Sequence, residues 1–249
     1  MFRHLLAFGL TLVMTIFLSI SAFGDPWYYE NFDDLKDGSL TPQDGWNNGA
    51  NASGEIQDDI FHGTDGQSLY IIENSGNYKN FDAGHAGLQY LAFWAYVPNE
   101  YPEGNLQIYT GASGGDNRIA FFSRIYNDKR IAAHNGDTKG NVVNTVNSAV
   151  TYSYGEWFHV RYVMDFDDQT YSLYINGEPG AEDITFRGGA KEMSWLQMRW
   201  DHDETMEIYI DEVELGDGLG EDALNLQEVQ KAVSHEGKLS IAWGDLKRL

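Results

Sequence analysis

The chain has 249 residues, 16 lysines and arginines against 38 aspartates and glutamates, a formal net charge of −22, and no cysteine. A surface this acidic repels phosphate backbones and anionic headgroups, which argues against nucleic acid and anionic membrane surfaces as partners. Without cysteine there are no disulfides, no thiol catalysis and no cysteine-based zinc or iron–sulfur site.

In chain order, residues 1–24 open with Arg3 and His4, run apolar from Leu5 to Ile20 and close on Ala22-Phe23-Gly24. That is the layout of a signal peptide with a small-x-small ending. Cleavage before Asp25 and export to the medium, periplasm or cell surface are expected, with an uncleaved anchor as the alternative. Beyond residue 25 no apolar run is long enough to cross a bilayer. From there to 215 the hydrophobic pattern has period two. It predicts strands at 27–33, 54–59, 68–73, 87–97, 106–110, 118–126, 157–165, 170–176, 194–200 and 206–215. Turns rich in Gly, Asn and Asp separate them, at 111–117, 166–169 and 201–204 among others. Many antiparallel strands with one apolar face each predict an all-β chain, a two-sheet antiparallel β-sandwich (jelly roll) forming one domain over 25–215. Residues 216–222 read as a linker. Residues 222–233 place Leu226, Val229 and Val233 on one helical face, and 238–249 is short, amphipathic and basic. The segment 216–249 is therefore expected to be a linker and helical tail, packed on the sandwich or serving as a tether. Oligomeric state is not legible.

Splitting the strands by parity separates a core row from a second row. In 88–97 the core row is Leu91, Phe93, Ala95 and Val97, and the second is Tyr90, Ala92, Trp94 and Tyr96. The second rows elsewhere hold Gln107 and Tyr109; Phe122 and Arg124; His159 and Arg161; and Trp195, Gln197 and Arg199. Tyr, Trp, Arg, His and Gln are what a glycan needs. Sugar C–H faces stack on aromatic rings, and planar amides or guanidinium groups bond hydroxyls and carboxylates. Tyr90, Trp94, Tyr96, Tyr109, Arg124, His159, Arg161, Gln197 and Arg199 are accordingly the candidate ligand-binding residues, for a polysaccharide that could carry uronic acids. An ordinary sheet face, with arginines stacked on aromatics, is the alternative.

Several segments together resemble the concanavalin A-like and laminin-G-like jelly rolls of secreted bacterial carbohydrate-active proteins. They are YYENFDDLKDGSLTPQDGW at 28–46, HGTDGQSLYI at 62–71, LAFWAYVP at 91–98, EWFHVRYVMDFDDQTYSLYINGE at 156–178 and IYIDEVEL at 208–215. The resemblance implies the jelly-roll fold and a structural calcium where the first and last strands meet. Asp33 and Asp211 would be its ligands, with the turn containing Asp65 supplying further oxygens; such mixed hard-oxygen sets suit Ca²⁺. The fold carries lectins, binding modules, hydrolases and lyases alike. The hydrolase branch usually shows acid, apolar, acid, two spacers, acid in one strand, which MEIYIDEVEL at 206–215 lacks. A lyase would neutralise a uronate carboxylate with Arg161 or Arg199 and Gln197, and remove a proton with His159 or Tyr109; its Gln-Ile-His triplet is absent. The expectation is an exported noncatalytic carbohydrate-binding or adhesion module. A polysaccharide lyase and a structural protein-interaction domain of the cell surface are the alternatives.

Overall fold

The computed structural model describes residues 23–48, 52–71, 75–112, 118–200 and 206–220. The expected signal segment before 23, the expected turns over 113–117 and 201–204, and the expected tail from 221 onward lie outside the described residues. The first strands are β1 (Phe23–Glu30), β2 (Gly38–Ser39), β3 (Trp46–Asn47), β4 (Glu55–Gln57), β5 (Ser68–Ile71) and β6 (Gly76–His85). They are followed by β7 (Leu88–Tyr96), β8 (Asn105–Gly111), β9 (Ile119–Tyr126), β10 (Ile131–Gly136) and β11 (Val142–Asn147). The last are β12 (Trp157–Asp165), β13 (Thr170–Ile175), β14 (Glu178–Thr185), β15 (Met193–Trp200) and β16 (Ile208–Gly218).

These strands form two antiparallel sheets. The first, sheet A, runs β14-β13-β12-β7-β16-β5-β4-β2, with β1 also paired to β16. The second, sheet B, runs β11-β10-β9-β8-β15-β6-β3. The sandwich expected from period-two alternation is the observed fold. Six strands were not expected: β2 and β3, which are two residues long, and β6, β10, β11 and β14, whose alternation is broken by polar residues and glycines; β11 is exposed along almost its whole length. The acidic stretch at 165–168 is a hairpin turn, as expected: the Asp165 carboxylate accepts the backbone N–H groups of Asp167 and Asp168, both at 2.9 Å.

The core row of each strand meets the other sheet. Leu91, Phe93 and Ala95 of β7, Val97 just after it, and Phe158, Val160, Tyr162 and Met164 of β12 face Leu106, Ile108, Phe121, Ile125, Leu196 and Met198 of sheet B. Tyr162 ties the layers together, stacking on Phe121 at 4.3 Å and donating to the Ser123 hydroxyl at 2.7 Å. Tyr171 of β13 also crosses the sandwich. Its hydroxyl donates to the Phe122 carbonyl at 2.9 Å and accepts from the His134 N–H at 2.8 Å. Core burial thereby fixes the backbone beneath two residues of sheet B's outer face.

Parity holds along most strands and fails at two places. In β16, Glu212 has φ 49°, and the pairing shifts between Asp211 and Glu214. This bulge keeps Ile210 and Val213 both in the core. Glu212 and Glu214 therefore lie on the same face as Asp211, where strict alternation would place them opposite it. In β9, the register shifts where Thr110↔Phe121 gives way to Gly111↔Ile119, and Ile119 leaves the core row for an outer cluster.

Candidate functional site

The nine candidate ligand residues lie outside the main core, but not on one surface. Tyr90, Trp94 and Tyr96 (β7) and His159 and Arg161 (β12) are on sheet A. Tyr109 (β8), Arg124 (β9) and Gln197 and Arg199 (β15) are on sheet B. The outer faces of the two layers point in opposite directions. A single groove through His159, Arg161, Arg124 and Arg199 is not formed, nor is the lyase set His159, Arg161, Tyr109, Gln197 and Arg199. The error has a physical cause: consecutive strands β7 and β8 belong to different sheets, and alternation marks a face without marking a sheet.

Arg161 has structural work on sheet A. Its guanidinium covers the Tyr174 ring at 4.7 Å and donates to the carbonyls of Leu219 and Gly220 at 3.3 and 3.1 Å. Those residues close over Tyr90, which is 2% exposed. A Cβ added at Gly216 or Gly220 would fall 2.4 or 2.7 Å from the Tyr90 ring, so only glycine permits this approach. His159 is 4% exposed beside Trp94.

Sheet B assembles a site. Tyr109, Phe122 and His134 come from the adjacent strands β8, β9 and β10, and their rings form a continuous stack. Tyr109 and Phe122 are 4.6 Å apart at 4°, and Phe122 and His134 are 4.3 Å apart at 13°. Trp195 packs against the same cluster. Three guanidinium groups cover it. Arg199 lies 5.2 Å from the Tyr109 ring, and Arg124 and Arg187 each lie 5.1 Å from the Phe122 ring. Arg199 also donates to the Gln107 side-chain oxygen at 3.0 Å and to the Tyr109 hydroxyl at 3.3 Å, while Tyr109 in turn donates to Gln107. Gln197 stands directly opposite Tyr109 in the register. Arg187 is held by the Gly140 carbonyl at 2.8 Å.

Among the described residues no carboxylate pairs with Arg187 or Arg199. Among the described residues the buried Nε2 of His134 and Nε1 of Trp195 have no hydrogen-bond partner. Buried donors and acceptors are ordinarily satisfied, so these two atoms are exceptions in the fold. Arg187 and His134 did not stand out in the sequence. His134 lies in the short IAAHNG run, and Arg187 follows β14, with nothing local to show that either comes beneath or over Phe122.

Burial and the charges of Arg124 and Arg187 push the His134 imidazole down to about 4. The folded protein therefore resists a proton that the unfolded chain takes near the ordinary histidine value, and stability rises with pH between about 4 and 6.5. Acidification across that window should cost up to about 3 kcal/mol from this group, with no contribution above it. Thermal melts at stepped pH should show a shallower acid loss for His134→Phe, which keeps the stacked ring and removes the titration.

The expected calcium residues partly converge. The Asp33 carboxylate accepts the Gln67 N–H at 2.9 Å and the Asn31 amide at 2.6 Å. A Cβ at Gly66, which has φ 141°, would lie 2.5 Å from an Asp33 oxygen. Asp211, 3% exposed, accepts the N–H groups of His62 and Glu212 at 2.9 and 2.8 Å. Burial, followed by the charges of Glu212 and Asp33, pushes Asp211 up to about 7 against these amide bonds. Residues 62–67 thus link the two carboxylates. Asp65 is exposed and accepts the Thr64 hydroxyl at 3.3 Å. Among the described residues no three acidic or histidine side chains form a metal-sized cluster. A hard cation fits only as two carboxylates completed by backbone carbonyls, a donor set that calcium accepts.

Two packed antiparallel sheets in this strand order define a jelly-roll sandwich. The chain belongs to the concanavalin A-like lectin/glucanases superfamily, whose laminin-G-type family model matches residues 91–230. Among solved structures it is similar to a sialidase, with TM-score 0.57 and 14% identity over 78% of this chain and 19% of that one. It is also similar to the binding domain of Paraclostridial Mosquitocidal Protein 1, with TM-score 0.52 and 14% identity over 81% of this chain and 50% of that one. The botulinum neurotoxin serotype D ligand-binding domain, in complex with N-acetylneuraminic acid, gives TM-score 0.50 and 14% identity over 72% and 46%. The chain spans half or less of the length of each of these structures. No curated protein matches the sequence.

Proposed function

We propose that this is an exported, noncatalytic glycan-binding module whose sheet B face takes a polysaccharide carrying uronic acids. The observation that carries the reading is the Tyr109–Phe122–His134 stack covered by Arg124, Arg187 and Arg199. The rings offer a surface to sugar C–H groups. The guanidinium groups, in a chain of net charge −22, offer the matching charge for a carboxylate. The serotype D domain, a structural neighbour, is complexed with N-acetylneuraminic acid, itself a carboxylate-bearing sugar. Export rests on the basic and apolar opening of residues 1–24.

Calorimetric titration with polygalacturonate and alginate oligosaccharides tests the reading. Saturable binding without chain cleavage is expected. Accumulation of unsaturated uronate products would instead make the protein a lyase. No glycan bound, with a protein partner recovered, would make it an interaction domain.

We further propose that Asp33 and Asp211 hold a calcium ion with carbonyls of the 62–67 loop, joining the first strand to the last. An ion bound only by the folded form stabilises it by about 2.7 kcal/mol at a hundredfold excess over its Kd. Chelation should lower Tm by several degrees and calcium should restore it. An unchanged Tm would remove the ion from the account.

A further inference from the structure

The outer face of sheet A carries an aromatic row separate from the sheet B cluster. Trp157, Tyr96, Tyr209 and Tyr70 lie directly opposite one another across the neighbouring strands β12, β7, β16 and β5. The core residues beside them, Phe158, Ala95, Val97, Ile208, Ile210, Leu69 and Ile71, point the other way. Strand spacing makes the row about 14 Å long. Its rings touch in sequence: Trp157 to Tyr96 at 5.4 Å, Tyr96 to Tyr209 at 6.0 Å and Tyr209 to Tyr70 at 4.8 Å. The planes turn by 43°, 72° and 22°, so the row presents both ring faces and phenol edges. Trp157, Tyr96 and Tyr70 remain half-buried, and none of the three belongs to the main core.

The surroundings of the row are acidic. Glu55 on β4 stands opposite Tyr70 and is exposed. Beyond burial, the Glu207 carboxylate raises the phenols of Tyr70, Tyr101 and Tyr209, and Asp59 adds to the effect on Tyr209. These phenols stay protonated at neutral pH and keep their O–H donors. His62 lies edge-on to Trp157 at 5.6 Å. Among the described residues no lysine or arginine covers any of the four rings, whereas three arginines cover the sheet B rings.

We propose that the Trp157–Tyr96–Tyr209–Tyr70 row is a second glycan-binding surface, selective for uncharged hexopyranose chains. The extended aromatic row accepts sugar faces, while Glu55, Glu207 and the phenols bond neutral hydroxyls and repel carboxylates. With sheet B taking an anionic polymer, the two faces would let one molecule bridge two kinds of polysaccharide. The sheet A assignment does not depend on the sheet B one.

The test is calorimetric titration of the full chain with laminarin, xyloglucan and galactomannan, alongside polygalacturonate. At least one neutral polymer should bind. Tyr96→Ala and Trp157→Ala should each weaken it about tenfold or more, the loss of one aromatic contact, while polygalacturonate binding stays unchanged. Arg124→Ala with Arg199→Ala should do the reverse. If either strip variant is unfolded by circular dichroism, Tyr70→Ser at the end of the row replaces it. Absence of neutral-polymer binding, or unchanged affinity in folded strip variants, would overturn the proposal. So would strip variants that only convert a dimer to a monomer in sedimentation, because the row would then be a contact between two copies.

Discussion

Replacing Arg124 and Arg199 together by alanine should weaken binding to a uronate polymer by about two orders of magnitude, with no change in fold. Each guanidinium covers a ring of the same stack, Phe122 for Arg124 and Tyr109 for Arg199. A charge-assisted hydrogen bond contributes roughly 1.5–3 kcal/mol, so losing two costs at least a hundredfold in affinity. Both side chains are partly exposed, which keeps the estimate at the low end. The fold should survive, because neither arginine belongs to the main core. Retention measured over increasing salt should also fall more gently for the double variant, since it has fewer charges to screen. Wild-type affinity in the double variant would mean that the arginines only shield the rings.

Tyr171→Phe should have the largest effect on stability of any change that keeps the side chain's shape. The hydroxyl is fully buried and bonds the Phe122 carbonyl, the His134 carbonyl and the His134 N–H at 2.9, 3.2 and 2.8 Å. Removing it strands polar backbone groups of two sheet B strands inside the protein, at about 1–3 kcal/mol for each group left unsatisfied. A loss of about 3 kcal/mol corresponds to roughly 6–12 °C in Tm for a domain of this size. The same bonds fix the backbone under Phe122 and His134, so glycan affinity should fall along with Tm. Tyr162→Phe is the control. It removes the bond to Ser123 at 2.7 Å but leaves the site's backbone anchored, and should cost stability without changing affinity.

Much of the fold was legible because period-two alternation is a direct record of which side chains leave water. Parity placed all nine candidate ligand residues outside the main core, and the structure agrees. It could not show that Tyr96 and Tyr109 belong to different sheets. The chain crosses the sandwich between β7 and β8, and nothing in 97–104 marks the crossing. Nor could it foresee the bulge at Glu212, since a positive φ on a glutamate has no pattern in sequence. His134 was missed because Ala132 and Ala133 make its strand look too small to be part of a binding face. Arg187 was missed for a different reason. It lies outside any strand and reaches Phe122 only because the segment after β14 folds back, where a Cβ at Gly136 would be 2.2 Å from the Arg187 Cα. Both residues depend on contacts far apart in the chain, which local pattern does not encode.

The central claim is that the ring stack on sheet B is where an acidic glycan sits. The most direct measurement is a solution NMR titration of the isotopically labelled chain with a polygalacturonate oligosaccharide, following side-chain aromatic and guanidinium signals. The account predicts saturable shifts at Tyr109, Phe122, Trp195, Arg124, Arg187 and Arg199, with the Tyr90 and Arg161 signals unmoved. Shifts confined to sheet A, or no shift at saturating oligosaccharide, would contradict it.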